Sequence, residues 1–106
     1  MYAEALNENG KTNEALGFLN QVRVRAKVPG YAGLAQSDTR EKIYLERRLE
    51  LSSEGQRWFD LVRTGRALAV MAPYGMKAYM TVFPIPLSQL QIINDRSVFP
   101  QNPGYE

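Results

Sequence analysis

The chain has 106 residues, of which 44% are hydrophobic and 23% charged, enough apolar side chain to bury a core and too much for disorder. Its net charge of only +2 argues against a nucleic-acid binder, which needs a concentrated basic surface to displace counterions. It contains neither cysteine nor histidine, so it can build no disulfide, no thiolate metal site, and no Ser-His-Asp or Cys-His centre. No cofactor is implied.

No stretch is long and apolar enough to cross a bilayer. Met1 is followed at once by the helix-forming Tyr2-Ala3-Glu4-Ala5-Leu6-Asn7-Glu8, not by a signal peptide. By itself that start points to the cytoplasm.

The first predicted helix covers residues 2 to 8 and stops at Asn9-Gly10, a pair that tolerates the left-handed conformation of a helix end. A second follows at once, with Thr12 as N-cap and Glu14 in its first turn. Ala15, Leu19, Val22 and Ala26 recur at helical spacing until Pro29-Gly30 ends it. Residues 1–28 therefore read as an antiparallel helix pair with an apolar face that it cannot cover alone.

A loop over 30–37 leads to a third helix, expected from Thr39 to Ser52. Asp38 is its N-cap and Glu41 completes a capping box. Ile43, Leu45, Leu49 and Leu51 supply its apolar contacts. After a break at Gly55, a short helix over 57–63 buries Trp58, Leu61 and Val62, and Ala67 to Met71 adds one more turn. These signature helices occupy 38–72.

From Pro73 the character changes, with five of the six prolines lying between there and the end. Thr81-Val82-Phe83-Pro84-Ile85-Pro86 must be extended, since a residue before proline avoids the helical region and proline cannot donate within a sheet. Ser88 caps a short helix through Ile93, and Phe99 to Tyr105 is turn chemistry. Residues 73–106 read as an extended strap with a short helix, anchored by Phe83, Ile85, Leu90, Phe99 and Tyr105.

The densest signal is Glu46-Arg47-Arg48-Leu49-Glu50-Leu51 followed by Glu54-Gly55-Gln56-Arg57-Trp58-Phe59-Asp60-Leu61-Val62-Arg63-Thr64-Gly65. Glu46, Glu50 and Glu54 fall four apart, a spacing that lines three carboxylates along one helix face. They need cations, and Arg47, Arg57 and Arg63 are within sequence reach. A glycoside hydrolase would need two carboxyls facing each other across a sugar. Carboxylates stacked along one helix and interleaved with arginine favour a structural ion-pair lattice of Glu46, Arg47, Glu50, Glu54, Arg57, Asp60 and Arg63 instead. No catalytic or metal-binding residue is assigned. Trp58 shares its spacing with Leu61 and Val62, so core is favoured over sugar stacking. Tyr31, Tyr74 and Tyr79 are better placed for exposed contacts.

This signature resembles the C-terminal region of SusD/RagB nutrient-binding proteins. Tyr2-Ala3-Glu4-Ala5-Leu6 and Leu19-Asn20-Gln21-Val22-Arg23-Val24-Arg25-Ala26 upstream, then Phe83-Pro84-Ile85-Pro86 and Gln101-Asn102-Pro103-Gly104-Tyr105 downstream, stand in the family's order. The resemblance implies a mainly α fold with tetratricopeptide-like helix pairs. It implies a surface-exposed outer-membrane lipoprotein, without enzymatic activity, that captures oligosaccharides such as starch, or peptides, beside a SusC-like TonB-dependent transporter. It also implies a missing N-terminal portion carrying the signal, the lipidated cysteine and most ligand-binding aromatics, leaving these residues as scaffold. The residues themselves leave two rivals, a helical-repeat protein-interaction module and a glycoside hydrolase using Glu46, Glu50 or Asp60.

Overall fold

A computed structural model describes residues 1–105. Among them the regular structure is entirely helical, in agreement with the expected fold class. Helices α1 (Tyr2–Glu8), α2 (Thr12–Arg25), α3 (Gln36–Glu50), α4 (Arg57–Arg63), α5 (Ala67–Met71) and α6 (Leu87–Ile93) follow in chain order, with short 3₁₀ turns at Ala72–Tyr74 and Ala78–Thr81 between α5 and α6. The chain divides into two compact units after Arg57, the first residue of α4. The division falls inside the 38–72 signature region.

In the first unit α1 ends as the sequence predicts. Gly10 takes φ +76°, and the Gly10 and Lys11 amides bond the Asn7 and Leu6 carbonyls at 3.1 and 2.9 Å. This double closure satisfies carbonyls that the helix end would otherwise leave open. α2 closes in the same way through Lys27 and Val28, with Lys27 at φ +57°. The hairpin packs Leu16 and Leu19 against Ile43 of α3, with Ala3, Tyr31 and Leu34 around them. Each of these buried aliphatic side chains contributes roughly 1.5–3 kcal/mol of transfer free energy. Leu45 and Leu49, expected as apolar contacts of α3, are exposed.

α3 begins earlier than expected. Ala35, not Asp38, is its N-cap, and no side chain caps the end. Asp38 instead lies in the first turn, where its charge suits the helix dipole. Contact with α1 fixes the start. Gln36 Nε2 donates to the Asn7 carbonyl at 2.6 Å, and Asn7 Nδ2 donates to the Gln36 carbonyl at 3.0 Å. α3 also stops earlier, at Glu50 with Leu51 as C-cap. Ser52 and Ser53 are weak helix formers, and Gly55 takes φ +71° in the turn beyond. Glu54 therefore leaves the helix, and the row of three carboxylates reduces to Glu46 and Glu50.

In the second unit α4 and α5 occupy the predicted spans. Leu61, Ala67 and Leu90 are buried. Trp58 is half-buried and Val62 exposed, so the expected burial of Trp58, Leu61 and Val62 holds fully only for Leu61. α6 starts at Leu87 after Pro86, and Ser88 lies inside the helix, not at its cap.

The Pro-rich segment is held by side chains. Ile85 N–H donates to Gln101 Oε1 at 2.7 Å and Gln101 Nε2 donates to the Ile85 carbonyl at 2.9 Å. Asn102 Nδ2 donates to the Phe83 carbonyl at 2.7 Å, and the Tyr105 hydroxyl to the Val82 carbonyl at 2.9 Å. Gln101 thus supplies both hydrogen bonds that a neighbouring strand would make. Tyr105 also packs edge-on to Tyr79, with ring centroids 5.0 Å apart. Gly104 lies so close to the Tyr79 ring that an added Cβ would collide with it. Leu90 is buried, and Ile85, Phe99 and Tyr105 are half-buried. Phe83, expected as an anchor, is 71% exposed. Its carbonyl, not its ring, is what the tail holds.

Candidate functional site

α3 carries the signature carboxylates past the hairpin, and α2 answers with arginines. Glu46 accepts from Arg23 Nη1 at 2.7 Å. Both side chains are largely withdrawn from solvent, at 8% and 13% exposure. Arg23 is committed on three sides. Its Nε donates to the Pro29 carbonyl at 2.6 Å, and its guanidinium carbon stands 4.1 Å from the centre of the Tyr31 ring. Lys42 also approaches that ring, at 5.3 Å. Tyr31 is fixed by Asn20, whose amide accepts from the Tyr31 N–H and donates to its carbonyl, each at 2.8 Å. These contacts hold Arg23 in one rotamer, the condition for a buried pair to offset its desolvation.

One turn further, Glu50 pairs with Arg25, and that contact raises the Arg25 pKa above the ordinary arginine value. On the side facing α1, Arg40 forks both nitrogens onto Glu8 at 2.6 Å each. Hydrogen bonds from Arg40 hold the Glu8 carboxyl below the usual range. α3 is therefore tied to α1 by Arg40–Glu8 and to α2 by Arg23–Glu46 and Arg25–Glu50.

Elsewhere in the signature, Arg63 Nε donates to Asp60 Oδ1 at 2.8 Å along α4, and the Thr64 hydroxyl donates to the Asp60 carbonyl at 2.6 Å. Arg57 opens α4, and Glu54 sits in the turn before it. Arg47 borders the cleft described next.

Sequence reasoning seeks the partners of Glu46 and Glu50 nearby along the chain and does not single out Arg23 and Arg25. No period in the sequence pairs them, because residues two apart do not share a helix face. Two carboxylates spaced by four on one helix face two arginines spaced by two near the end of another.

Beside this lattice, in the first unit, lies a cleft of about 380 Å³. Its walls are Tyr2, Phe18, Leu19, Val22, Ile43 and Leu51, and Arg25, Glu46, Arg47 and Glu50 form its polar margin. Tyr2 and Phe18 meet edge-to-face at 4.7 Å. The walls offer apolar contact, while Glu46 and Glu50 at the margin are already engaged by arginine. Among the described residues no group of His, Cys, Asp or Glu is arranged to hold a metal ion. No helix among them is long and apolar enough to cross a membrane.

An all-helical chain with this signature defines a class, and comparison with known proteins settles which one. Residues 1–105 match the family model described as the SusD family, and the chain belongs to that family. Three proteins of Formosa agariphila are similar to it. SusD-like protein P38 is 42% identical over 80 residues, covering 67% of this chain and 16% of that protein. SusD-like protein P2 is 31% identical over 117 residues, covering 97% of this chain and 23% of that protein. SusD-like protein P25 is 38% identical over 106 residues, covering 87% and 20%. The chain thus spans roughly a fifth of the length of the curated relatives it matches. No solved structure matches it.

Proposed function

We propose that this chain belongs to a nutrient-capturing protein of the outer-membrane surface, a lipoprotein without enzymatic activity that works beside a SusC-like TonB-dependent transporter. Its cargo is an oligosaccharide or a peptide. The 106 residues act mainly as scaffold, with Glu46, Arg47, Glu50, Glu54, Arg57, Asp60 and Arg63 in architectural roles. The observation that carries the reading is the family match over residues 1–105.

The lattice supports the scaffold role. Glu46 and Glu50 stand on one helix and each binds an arginine of the neighbouring helix. Glycoside hydrolysis needs two carboxyls placed across a substrate. The open apolar cleft favours one other reading, a helical-repeat interaction module.

Fractionation of source cells and retention of the gene product on immobilised polysaccharides test the proposal. Recovery in the outer-membrane fraction, copurification with a TonB-dependent porin and binding to at least one glycan or peptide pool support it. A cytosolic protein that binds none of them overturns it in favour of the interaction module.

A further inference from the structure

We propose that Asn9–Gly10, the link between α1 and α2, is a modification site at which asparagine converts to aspartate or isoaspartate through a cyclic imide, and that closure of the helix turn gates the conversion. The inference goes beyond the scaffold reading and does not depend on it.

Asn9 is the asparagine of this chain that glycine follows, and both residues are exposed. Glycine has no Cβ to hinder attack by its nitrogen on the preceding side chain. In the reaction the Gly10 nitrogen gives up its proton and bonds to Asn9 Cγ. The Cγ–Nδ2 bond breaks, and Nδ2 leaves as ammonia with that proton. Water then opens the imide. Breaking the bond from Gly10 N to Cγ yields aspartate in the original main chain. Breaking the bond from Gly10 N to the Asn9 carbonyl carbon yields isoaspartate, with the main chain rerouted through Cβ and Cγ. Water enters, ammonia leaves, and nothing is oxidised or reduced.

The closed turn withholds the nucleophile. The Gly10 N–H donates to the Asn7 carbonyl at 3.1 Å. Asn9 has a ψ of 14°, which nearly eclipses the Gly10 nitrogen with the nitrogen of Asn9 itself. Ring closure needs the Gly10 nitrogen turned towards Cβ, a different substituent of the same tetrahedral carbon. α3 keeps the turn shut, because Asn7 and Gln36 exchange two hydrogen bonds and Arg40 forks onto Glu8. Local opening of this end of the hairpin therefore sets the rate.

The products oppose reclosure. Either one adds a carboxylate next to Glu8 at the C-terminal end of α1, where the helix dipole disfavours it. Isoaspartate also lengthens the main chain within the turn that the Gly10 and Lys11 amides close onto Asn7 and Leu6.

Incubation of the folded gene product at mildly alkaline pH, beside the same protein in denaturing urea, tests this by peptide mapping for amide loss and isoaspartate. In urea Asn9 should convert ahead of Asn7, Asn13, Asn20 and Asn94. In the folded protein its conversion should be slower by roughly ten-fold or more, since only the locally opened fraction reacts. Gln36→Ala and Arg40→Gln, each checked for folding by circular dichroism, should raise the folded-state rate several-fold and leave the rate in urea unchanged. Equal rates with and without urea overturn the gate, and they decide the matter alone if neither variant folds. Conversion in urea that favours another asparagine overturns the site. Folded-state rates that neither folded variant changes overturn the control by α3.

Discussion

Arg23 and Glu46 illustrate how one buried pair depends on everything around it. Removing either partner leaves the other charge withdrawn from water, so Glu46→Leu or Arg23→Met alone should lower unfolding free energy by about 3–5 kcal/mol. The double variant should recover much of that loss, as measured by urea unfolding of all three proteins. Thr39 is the opposite case. It is fully buried, and its hydroxyl oxygen has no hydrogen-bond partner among the described residues. Thr39→Val keeps the shape and removes the unsatisfied group, so it should stabilise by about 1 kcal/mol in the same assay. Gly104 leaves no room for a side chain against Tyr79, and its φ of +89° disfavours one independently. Gly104→Ala should release the tail, read as faster exchange of the Ile85 amide that Gln101 now holds.

At the scale of elements, α3 is fastened on two sides, and one fastening is sensitive to acid. Glu8 has a lowered pKa because Arg40 hydrogen-bonds its ionised form. A group whose folded value lies below its unfolded one stabilises the fold above the unfolded value, near 4.5. That contribution fades as pH falls through the lower folded value. Stability should therefore decline below about pH 4.5, with a smaller decline in Glu8→Gln, when thermal unfolding of both is followed against pH. Both side chains are partly exposed, so added salt should narrow the difference.

The elements also show what local pattern can reveal. α1, α4 and α5 are legible in the sequence because Asn9-Gly10, Gly55 and Gly65 punctuate short apolar periods. The ends of α3 are not. Its start is set by the Asn7–Gln36 exchange across 29 residues, and a capping box read along the chain carries no such information. The same non-locality hides Arg23 and Arg25 as partners of the signature glutamates. Phe83 departs from expectation for a different reason. A large aromatic beside two prolines suggests an anchor, but the anchoring groups are the backbone carbonyls of Val82, Phe83 and Ile85.

At the scale of the chain, a composition without histidine or cysteine excludes catalysis by either side chain within these 106 residues, and the family match agrees with the resemblance carried by the signature. The scaffold reading predicts that purified protein hydrolyses no chromogenic glycoside. It also predicts that Glu50→Gln, still folded by circular dichroism, changes nothing in that assay. Turnover abolished by the substitution would revive the hydrolase.

The grip of Gln101, Asn102 and Tyr105 on residues 82–85 has a consequence for solubility. An extended apolar run with open carbonyls is a template for intermolecular strand pairing and amyloid-like growth. Here Pro84 and Pro86 remove two donors, and the tail side chains occupy the carbonyls of Val82, Phe83 and Ile85. The tail acts as a gatekeeper. It covers with side-chain amides and a phenol the edge that a stray strand would otherwise capture.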